Sequence, residues 1–257
     1  DAQTYDYLDF LNGTVVVKDK AVNTFYSYKF IGLSPLSGGP VFDDYEERQH
    51  ELDGLSKYET FKKVLTASGR REPYMSGNLT TNLSYKNIRL SGTFAYSLGA
   101  KVRLFQMYRS ELIAPESNLR RELLDRWQNP GDEKHTNIPA VIGRYEPYYF
   151  TYNEHWSQTS YYNVQPFASS LWNMYDYSDL RVVSGNYLKC NNLMVTYEFG
   201  ERILSQLRMT RLALSLSGTN LFTISSKKLK GQTPTQGFTE VSLSDRPTYS
   251  FSLSVSF

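Results

Sequence analysis

The chain has 257 residues and a formal net charge of +2, from 28 Lys and Arg against 26 Asp and Glu. This near balance, without long basic runs, argues against a nucleic-acid partner. A single cysteine, Cys190, excludes an internal disulfide, and we expect it to be a small buried residue. No stretch reaches the roughly 18 apolar residues of a membrane helix, but a β-barrel strand is apolar only at every second position.

The N-terminal third of the chain has little periodicity. Residues 14–18 predict at most the end of a strand, and residues 32–44, which are rich in turn formers, predict an outer loop. The run DDYEE at 43–47 carries oxygen ligands of the kind that Ca²⁺ uses, although a solvated acidic loop is the favoured interpretation. A helical stripe that predicts a loop-packing helix is formed by Leu52, Leu55, Tyr58 and Leu65.

Alternation of mainly apolar and mainly polar residues begins near residue 79. Residues 79–85 and 88–98 alternate on either side of Lys86-Asn87, which predicts two strands and a tight turn. The segments YLKCNNLMVTYEFG (187–200) and RLALSLSGTNLF (211–222) predict two more strands. The last strand is the most regular, because serines separate Tyr249, Phe251, Leu253, Val255 and Phe257.

The long connection at residues 106–185 contains a predicted helix and an aromatic segment. Leu119, Leu123, Leu124 and Trp127 have helical spacing, with Ser117 as a candidate N-cap. Aromatic rings stack on sugars and on apolar peptide side chains, and tyrosine adds hydrogen bonds at low entropic cost. We therefore predict a ligand or partner surface here, with a packed loop or a membrane-interface girdle as the equal alternative. Its residues are Tyr145, Tyr148, Tyr149, Trp156, Tyr161 and Tyr162.

The two faces of these strands indicate a membrane protein. The polar faces carry Ser, Thr and Asn rather than the Lys and Glu of a soluble sheet, and aromatics gather at the ends of the apolar faces. Short and long connections alternate, as they do between periplasmic turns and extracellular loops. We predict an all-β fold: a membrane-spanning antiparallel β-barrel whose long extracellular loops contain short helices. A soluble sandwich or barrel is the alternative.

The predicted strands are too few to close a barrel, since the smallest bacterial barrels have about eight. An open sheet would leave unpaired backbone groups in lipid. We therefore expect residues 1–257 to be the C-terminal part of a larger barrel, with the plug domain and the N-terminal strands outside this chain.

Sequence signals for catalysis are absent. The histidines His50, His135 and His155 have no partners at metal-ligand spacing, and no nucleophile, phosphate-binding or dinucleotide motif occurs. We expect no catalytic residue, no metal and no cofactor, and so no enzyme.

Several stretches together resemble the C-terminal portion of the SusC/RagA-type TonB-dependent transporters of the Bacteroidetes outer membrane. They occur in the family's order and cover nearly the whole chain. The run RWQNPGDEKHTNIPAV is the most specific, whereas alternating strands alone are not. The other stretches are FYSYKFIGLSPLSGGPVF, REPYMSGNLTTNLSYKNIRLSGTFAYSLG, SDLRVVSGNYLKCNNLMVTYEF, LALSLSGTNLFTI and the terminal strand.

The resemblance implies a barrel of roughly 22 strands, plugged by an N-terminal domain and capped by a SusD-like lipoprotein. It implies import of glycans or peptides driven by TonB, which would act through the part of the protein outside this chain. The terminal strand, Tyr249 to Phe257, resembles the signal that the barrel-assembly machinery reads. No catalytic residue transfers from the family.

Two alternatives of other classes remain at this point. One is a soluble or surface-exposed β-rich module that binds a glycan through its aromatic loop and transports nothing. The other is an outer-membrane enzyme or a passive porin; an enzyme would need a converging polar constellation, and a porin would need no energy source.

Overall fold

A computed structural model of the chain describes residues 5–108, 118–156, 167, 170–236 and 246–257. The helices in these residues are Tyr7–Asn12 (α1), Lys57–Val64 (α2), Tyr149–Asn153 (α3), Leu171–Asp176 (α4) and Glu201–Leu207 (α5). The strands are Thr24–Ser27 (β1), Phe30–Leu33 (β2), Pro40–Phe42 (β3), Thr66–Arg70 (β4), Met75–Tyr85 (β5), Ile88–Leu98 (β6), Lys101–Arg103 (β7), Val182–Ser184 (β8), Tyr187–Glu198 (β9), Arg211–Ser225 (β10) and Thr248–Ser256 (β11). None of the described helices has the length and apolarity needed to cross a membrane.

The chain divides into two compact units. The aromatic unit comprises Asp1–Glu72, Lys101–Val183 and Gln236–Val241. The sheet unit comprises Pro73–Ala100, Ser184–Thr235 and Ser242–Phe257. The long connection predicted from the sequence is therefore not an isolated loop, because most of it folds together with the N-terminal residues.

The sheet unit contains a five-stranded antiparallel sheet in the order β11-β10-β9-β6-β5. The predicted hairpin is confirmed, since Tyr85 pairs with Ile88 across Lys86-Asn87. The Asn87 side chain donates to the carbonyl of Glu198 at 2.7 Å, which attaches this turn to the end of β9. Both outer strands, β5 and β11, end the sheet, so the described residues do not close a barrel.

The strand register sorts the side chains into one apolar and one polar face. One row across all five strands is Leu83, Leu90, Val195, Leu216 and Phe251. The neighbouring row, on the other face, is Ser84, Arg89, Thr196, Ser215 and Ser252. The apolar row is open, because its edge members Leu83 and Phe251 are 60% and 70% exposed. The alternation read from the sequence thus reports a real difference between the two faces.

A register shift places Cys190 within this sheet. The shift lies between Thr93 and Phe94 on β6, so that Cys190 pairs with Phe94 on one side and with Phe222 on the other. Such a bulge lets two residues on one strand oppose one on its neighbour. Cys190 is fully buried, as the sequence predicted.

The aromatic unit is built around clustered rings from distant parts of the chain. The ring of Phe10 packs edge-on against those of Tyr26 and Phe61, with distances between ring centres of 5.3 and 5.7 Å. Phe61 in turn contacts Phe167 at 5.1 Å, and Phe167 contacts Trp156 at 5.0 Å. Each such pair contributes roughly 0.5–1.5 kcal/mol beyond the area it buries. The rings therefore join the N-terminal residues to the long connection.

Two buried charged groups complete this core. The Arg103 guanidinium donates to the carbonyls of Leu11 and Tyr26 at 3.0 and 2.9 Å, and burial lowers its pKa to about 9, so it stays charged at neutral pH. The Asp176 carboxylate accepts from the consecutive amides of Met107 and Tyr108 at 2.8 and 3.0 Å. Burial raises the pKa of Asp176 to about 6 despite these bonds. Both groups satisfy backbone that would otherwise be buried without a partner.

Local predictions in the irregular regions had mixed outcomes. The predicted helix after residue 52 is confirmed in part: α2 begins with a capping box formed by Ser56 and Glu59, but of the predicted stripe only Tyr58 lies within it. The prediction of a strand end at residues 14–18 is wrong, because these residues form no strand. Residues 32–44, predicted as an outer loop, form most of the β2–β3 hairpin. The predicted helix at 117–127 is a short 3₁₀ helix, Arg121–Asp125, and its candidate N-cap Ser117 lies outside the described residues. Its tighter turn breaks the assumed stripe, so that Leu123 and Trp127 are buried while Leu119 and Leu124 are exposed.

Candidate functional site

The tip of the β2–β3 hairpin rests on two aromatic side chains. The Ser34 amide donates to the Gly39 carbonyl and the Gly38 amide to the Ser34 carbonyl, each at 2.8 Å, which closes the tip. The Tyr152 hydroxyl from α3 donates to the Ser37 carbonyl at 2.8 Å. The Trp127 ring lies directly against Gly38. A residue with a side chain would not fit at Gly38, so this glycine fixes the position of the tip.

Substituting Gly38 tests this arrangement. A Cβ at Gly38 would overlap the Trp127 ring, on a backbone with φ of +67°. We expect Gly38→Ala to destabilise the aromatic unit by about 1–3 kcal/mol, since the ring must shift. The matched control is Gly54→Ala, which has φ of +74° but no atom within 4 Å of the new Cβ. Hydrogen exchange of both variants measures the difference; equal losses would mean that backbone strain alone matters.

An acidic residue anchors the segment that follows β3. The Asp44 carboxylate, which is buried, lies 2.7 Å from His155 Nε2 and accepts from Trp156 Nε1 at 3.0 Å. Its other oxygen accepts from the Glu46 amide at 3.2 Å. These bonds hold residues 44–46 against the segment after α3.

Between the hairpin and α3 lies a cavity of about 670 Å³, which we call the acidic cavity. Its apolar lining includes Ile31, Leu36, Val41, Phe42, Tyr148 and Tyr152. Its charged lining comprises Asp43, Asp44, Glu46, Glu47, Arg48 and His155. Its size and its mixture of apolar walls with a few polar groups are typical of small-molecule sites.

The carboxylates of the acidic cavity differ in their partners. Asp43 pairs with Lys29 and Arg48 at 3.0 Å each, and the hydrogen bond from Lys29 is the main cause of its lowered pKa. Glu46 has a raised pKa because of its partial burial and the nearby Asp44 and Glu47, which outweigh His155. Among the described residues, neither Glu46 nor Glu47 forms a side-chain hydrogen bond or ion pair. The cavity therefore presents two carboxylates that are available to a ligand.

A smaller cavity of about 370 Å³ lies next to the acidic cavity. The two share Leu36, Ser37 and Tyr148 as lining residues. The smaller one also carries Arg126 and Glu146, whose charges cancel. The two cavities are therefore neighbours on the same side of the hairpin tip.

The aromatic residues predicted as a ligand or partner surface have different positions. Tyr148 lines both cavities, and Trp156 is buried behind the acidic cavity on Asp44. Tyr145 is 96% exposed and lines neither cavity. Tyr149 is half-buried and packs edge-on against Phe150 at 5.7 Å. Tyr161 and Tyr162 lie outside the described residues.

Sequence reasoning did not identify the acidic cavity. Asp44 and His155 are separated by 111 positions, and neither lies in a recognisable motif. The available signal is the run DDYEE at 43–47, whose favoured interpretation is a solvated loop, with a calcium site as the alternative. In the part of the chain that the structure describes, no three His, Cys, Asp or Glu side chains are grouped to hold a metal ion.

The C-terminal strand presents its apolar residues at the edge of the sheet. Exposed fractions are 70% for Tyr249 and Phe251, 57% for Leu253, 37% for Val255 and 85% for Phe257. β11 pairs with β10 alone, so its other backbone edge is open in the described sheet.

The fold is similar to that of solved importer structures. One is the RagAB peptide importer in the 'open-open' state, with 15% identity, a TM-score of 0.54, and coverage of 95% of this chain and 24% of that chain. The structure of the same importer in the 'closed-closed' state has 16% sequence identity and a TM-score of 0.56, and the match covers 95% of this chain and 25% of that chain. A structure of the RagAB peptide transporter has 17% sequence identity and a TM-score of 0.56, and the match covers 91% of this chain and 23% of that chain. The fold resembles part of a RagAB chain.

The likeness concerns the fold, because the sequence identity is low. No protein-family model matches the chain, and no curated protein does either. The chain spans about a quarter of the length of the RagAB chains that it matches. Those structures are described as a peptide importer and a peptide transporter.

Proposed function

We propose that this chain is the C-terminal part of the β-barrel of an outer-membrane importer. The observation that carries the proposal is the sheet: an open apolar face, a face of small polar residues, and two edge strands that each have one open backbone edge in the described residues. In lipid, the apolar face contacts acyl chains and the polar face lines the lumen. Unpaired edges in lipid cost several kcal/mol for each backbone group, so β5 and β11 pair with strands from the rest of the protein.

The proposed importer takes up oligopeptides or oligosaccharides together with a SusD-like surface lipoprotein. TonB energises it through an N-terminal part that also carries the plug. The sequence resemblance to SusC/RagA-type transporters and the fold likeness to a RagAB chain support this proposal. Because the similar structures are described as peptide importers, oligopeptides are the first substrates to test.

The test is to purify the protein from native outer membranes in detergent and to determine the mass of every polypeptide that comes with it. We expect a polypeptide much longer than this chain, which contains its sequence, and a lipoprotein bound to it. Recovery of the protein in the aqueous fraction without detergent would contradict the proposal and favour the glycan-binding module instead.

Removal of Phe257 tests the proposed assembly role of the terminal strand. If the assembly machinery reads the apolar residues of β11, deleting Phe257 should lower the amount of protein in the outer membrane several-fold. Immunoblotting of membrane fractions measures this. Ser256→Ala, one residue earlier on the polar parity, is the control and should leave the amount unchanged. Wild-type amounts of the Phe257 deletion would refute the assembly role without affecting the proposed fold.

A further inference from the structure

We infer that the acidic cavity binds a primary ammonium group carried on an apolar segment of an oligopeptide. The ammonium belongs either to a lysine side chain or to the N-terminal residue. This inference rests on the proposed import function for its biological role. It adds to that function a chemical preference among substrates.

The charge of the acidic cavity favours a cation. Two of its carboxylates are already engaged, Asp43 by Lys29 and Arg48 and Asp44 by His155 and the Trp156 indole. The remaining two, Glu46 and Glu47, have no such partner in the described part of the chain. Charge-assisted hydrogen bonds from an ammonium would satisfy them.

The basic side chains of the cavity make their closest contacts with carboxylates other than these two glutamates. Arg48 lies 3.0 Å from Asp43 and 3.5 Å from Glu51, and its guanidinium stacks 4.5 Å from the centre of the Tyr45 ring. His155 is held at 2.7 Å by Asp44. Both groups are therefore oriented toward partners other than Glu46 and Glu47. A ligand with a carboxylate at this position would be repelled.

The walls of the cavity favour an apolar segment next to the charge. Leu36, Ile31 and Val41 are 75%, 59% and 39% exposed although they are aliphatic. Exposed aliphatic groups that line a concave site gain most from covering by apolar atoms. A lysine side chain places four methylene groups before its ammonium, and so matches walls and glutamates together.

The shape of the site favours an extended ligand. The smaller cavity is adjacent to the acidic one, because both are lined by Leu36, Ser37 and Tyr148. It has one charge of each sign, Arg126 and Glu146, and so adds no net preference for charge. The selective position is therefore the acidic cavity, and the rest of a peptide occupies the neutral one.

The test measures binding of four synthetic peptides to the complete protein, purified in detergent with the polypeptides that accompany it. The first peptide has a blocked N-terminus and one internal lysine; the second carries acetyl-lysine there, and the third glutamate. The fourth has a free N-terminus and no lysine. We expect the acetyl-lysine and glutamate peptides to bind at least roughly tenfold more weakly than the lysine peptide. Binding of the fourth peptide identifies the N-terminal ammonium as a second source of the charge.

Variants of the two glutamates test whether the preference for the lysine peptide arises in the acidic cavity. The double variant Glu46→Gln/Glu47→Gln should lose about tenfold in affinity for the lysine peptide and lose its discrimination against acetyl-lysine. The control, Glu201→Gln, changes an exposed glutamate of α5 and should bind as the wild type does. The acetyl-lysine comparison needs no variant, so it decides the question even if the double variant misfolds.

Equal binding of the lysine and acetyl-lysine peptides would overturn the inference, and so would a preference for a neutral oligosaccharide. Unchanged affinity in a folded double variant would place the ammonium elsewhere and overturn it too. These results leave the proposed import function intact, because that function is tested separately by membrane extraction.

Discussion

Replacing Leu79 with arginine is expected to deplete the protein from the outer membrane, whereas arginine at the adjacent Thr80 is expected to be tolerated. Both residues lie at the centre of β5, and both are exposed. Leu79 belongs to the apolar face, where it pairs with Phe94, and Thr80 belongs to the polar face, where it pairs with Thr93. A cation that faces lipid near the bilayer centre costs about 2–4 kcal/mol, and a lumen-facing one does not.

The two variants differ by one position in the same strand, so each serves as the control for the other. The polar face already carries Arg89, which shows that a cation fits on that side of the sheet. Immunoblotting of membrane fractions, and melting of the protein extracted in detergent, measure the difference. In a soluble sheet both sites would face water, and substitutions there change stability by less than about 0.5 kcal/mol. Equal behaviour of the two variants would therefore refute the membrane assignment.

Replacing Arg103 with methionine is expected to destabilise the aromatic unit by about 3–5 kcal/mol, because buried acceptors lose a charged donor. Arg103 donates to the carbonyls of Leu11, Tyr26 and Ser178 and to the Ser27 hydroxyl, at distances of 2.9 to 3.3 Å. Methionine preserves much of the volume but satisfies none of these oxygens. Hydrogen exchange, read on peptides from residues 5–72, measures the loss.

The control for Arg103 is Arg48→Met in the same unit. Arg48 is exposed, and its pairs with Asp43 and Glu51 are surface ion pairs of the kind that contribute about 0–1 kcal/mol. Peptides from β9 and β10 provide an internal reference, since they belong to the sheet unit. If Arg103→Met and Arg48→Met lose equal protection, the buried guanidinium does not stabilise the core in the way described.

The acidic cavity illustrates what a sequence-based interpretation misses. The composition of the aromatic segment after residue 144 predicted a ligand or partner surface. Tyr145, however, lines neither cavity, and the buried Trp156 donates a hydrogen bond to Asp44. The groups best placed to meet a ligand, Glu46 and Glu47, belong to an acidic run that looked like ordinary solvated loop. The composition of the sequence therefore indicated the aromatic side of the cavity but not its acidic side.

The sequence by itself determined the strands of the sheet and the difference between its two faces. Side chains alternate across a strand, so a face that is apolar throughout leaves a period of two in the residues, as at Leu79 to Tyr85 and Tyr249 to Phe257. Local rules were enough for the turn at Lys86-Asn87. These features depend on residues that are neighbours in the chain.

Only the tertiary structure decided that the N-terminal residues and the long connection form one aromatic core with a cavity in its side. That core depends on contacts such as Asp44 with His155 and Arg103 with Leu11, whose partners lie 111 and 92 positions apart. Rings and charges that meet in this way need no regular spacing along the chain. These contacts form because distant segments pack together, and such packing leaves no local pattern in the sequence.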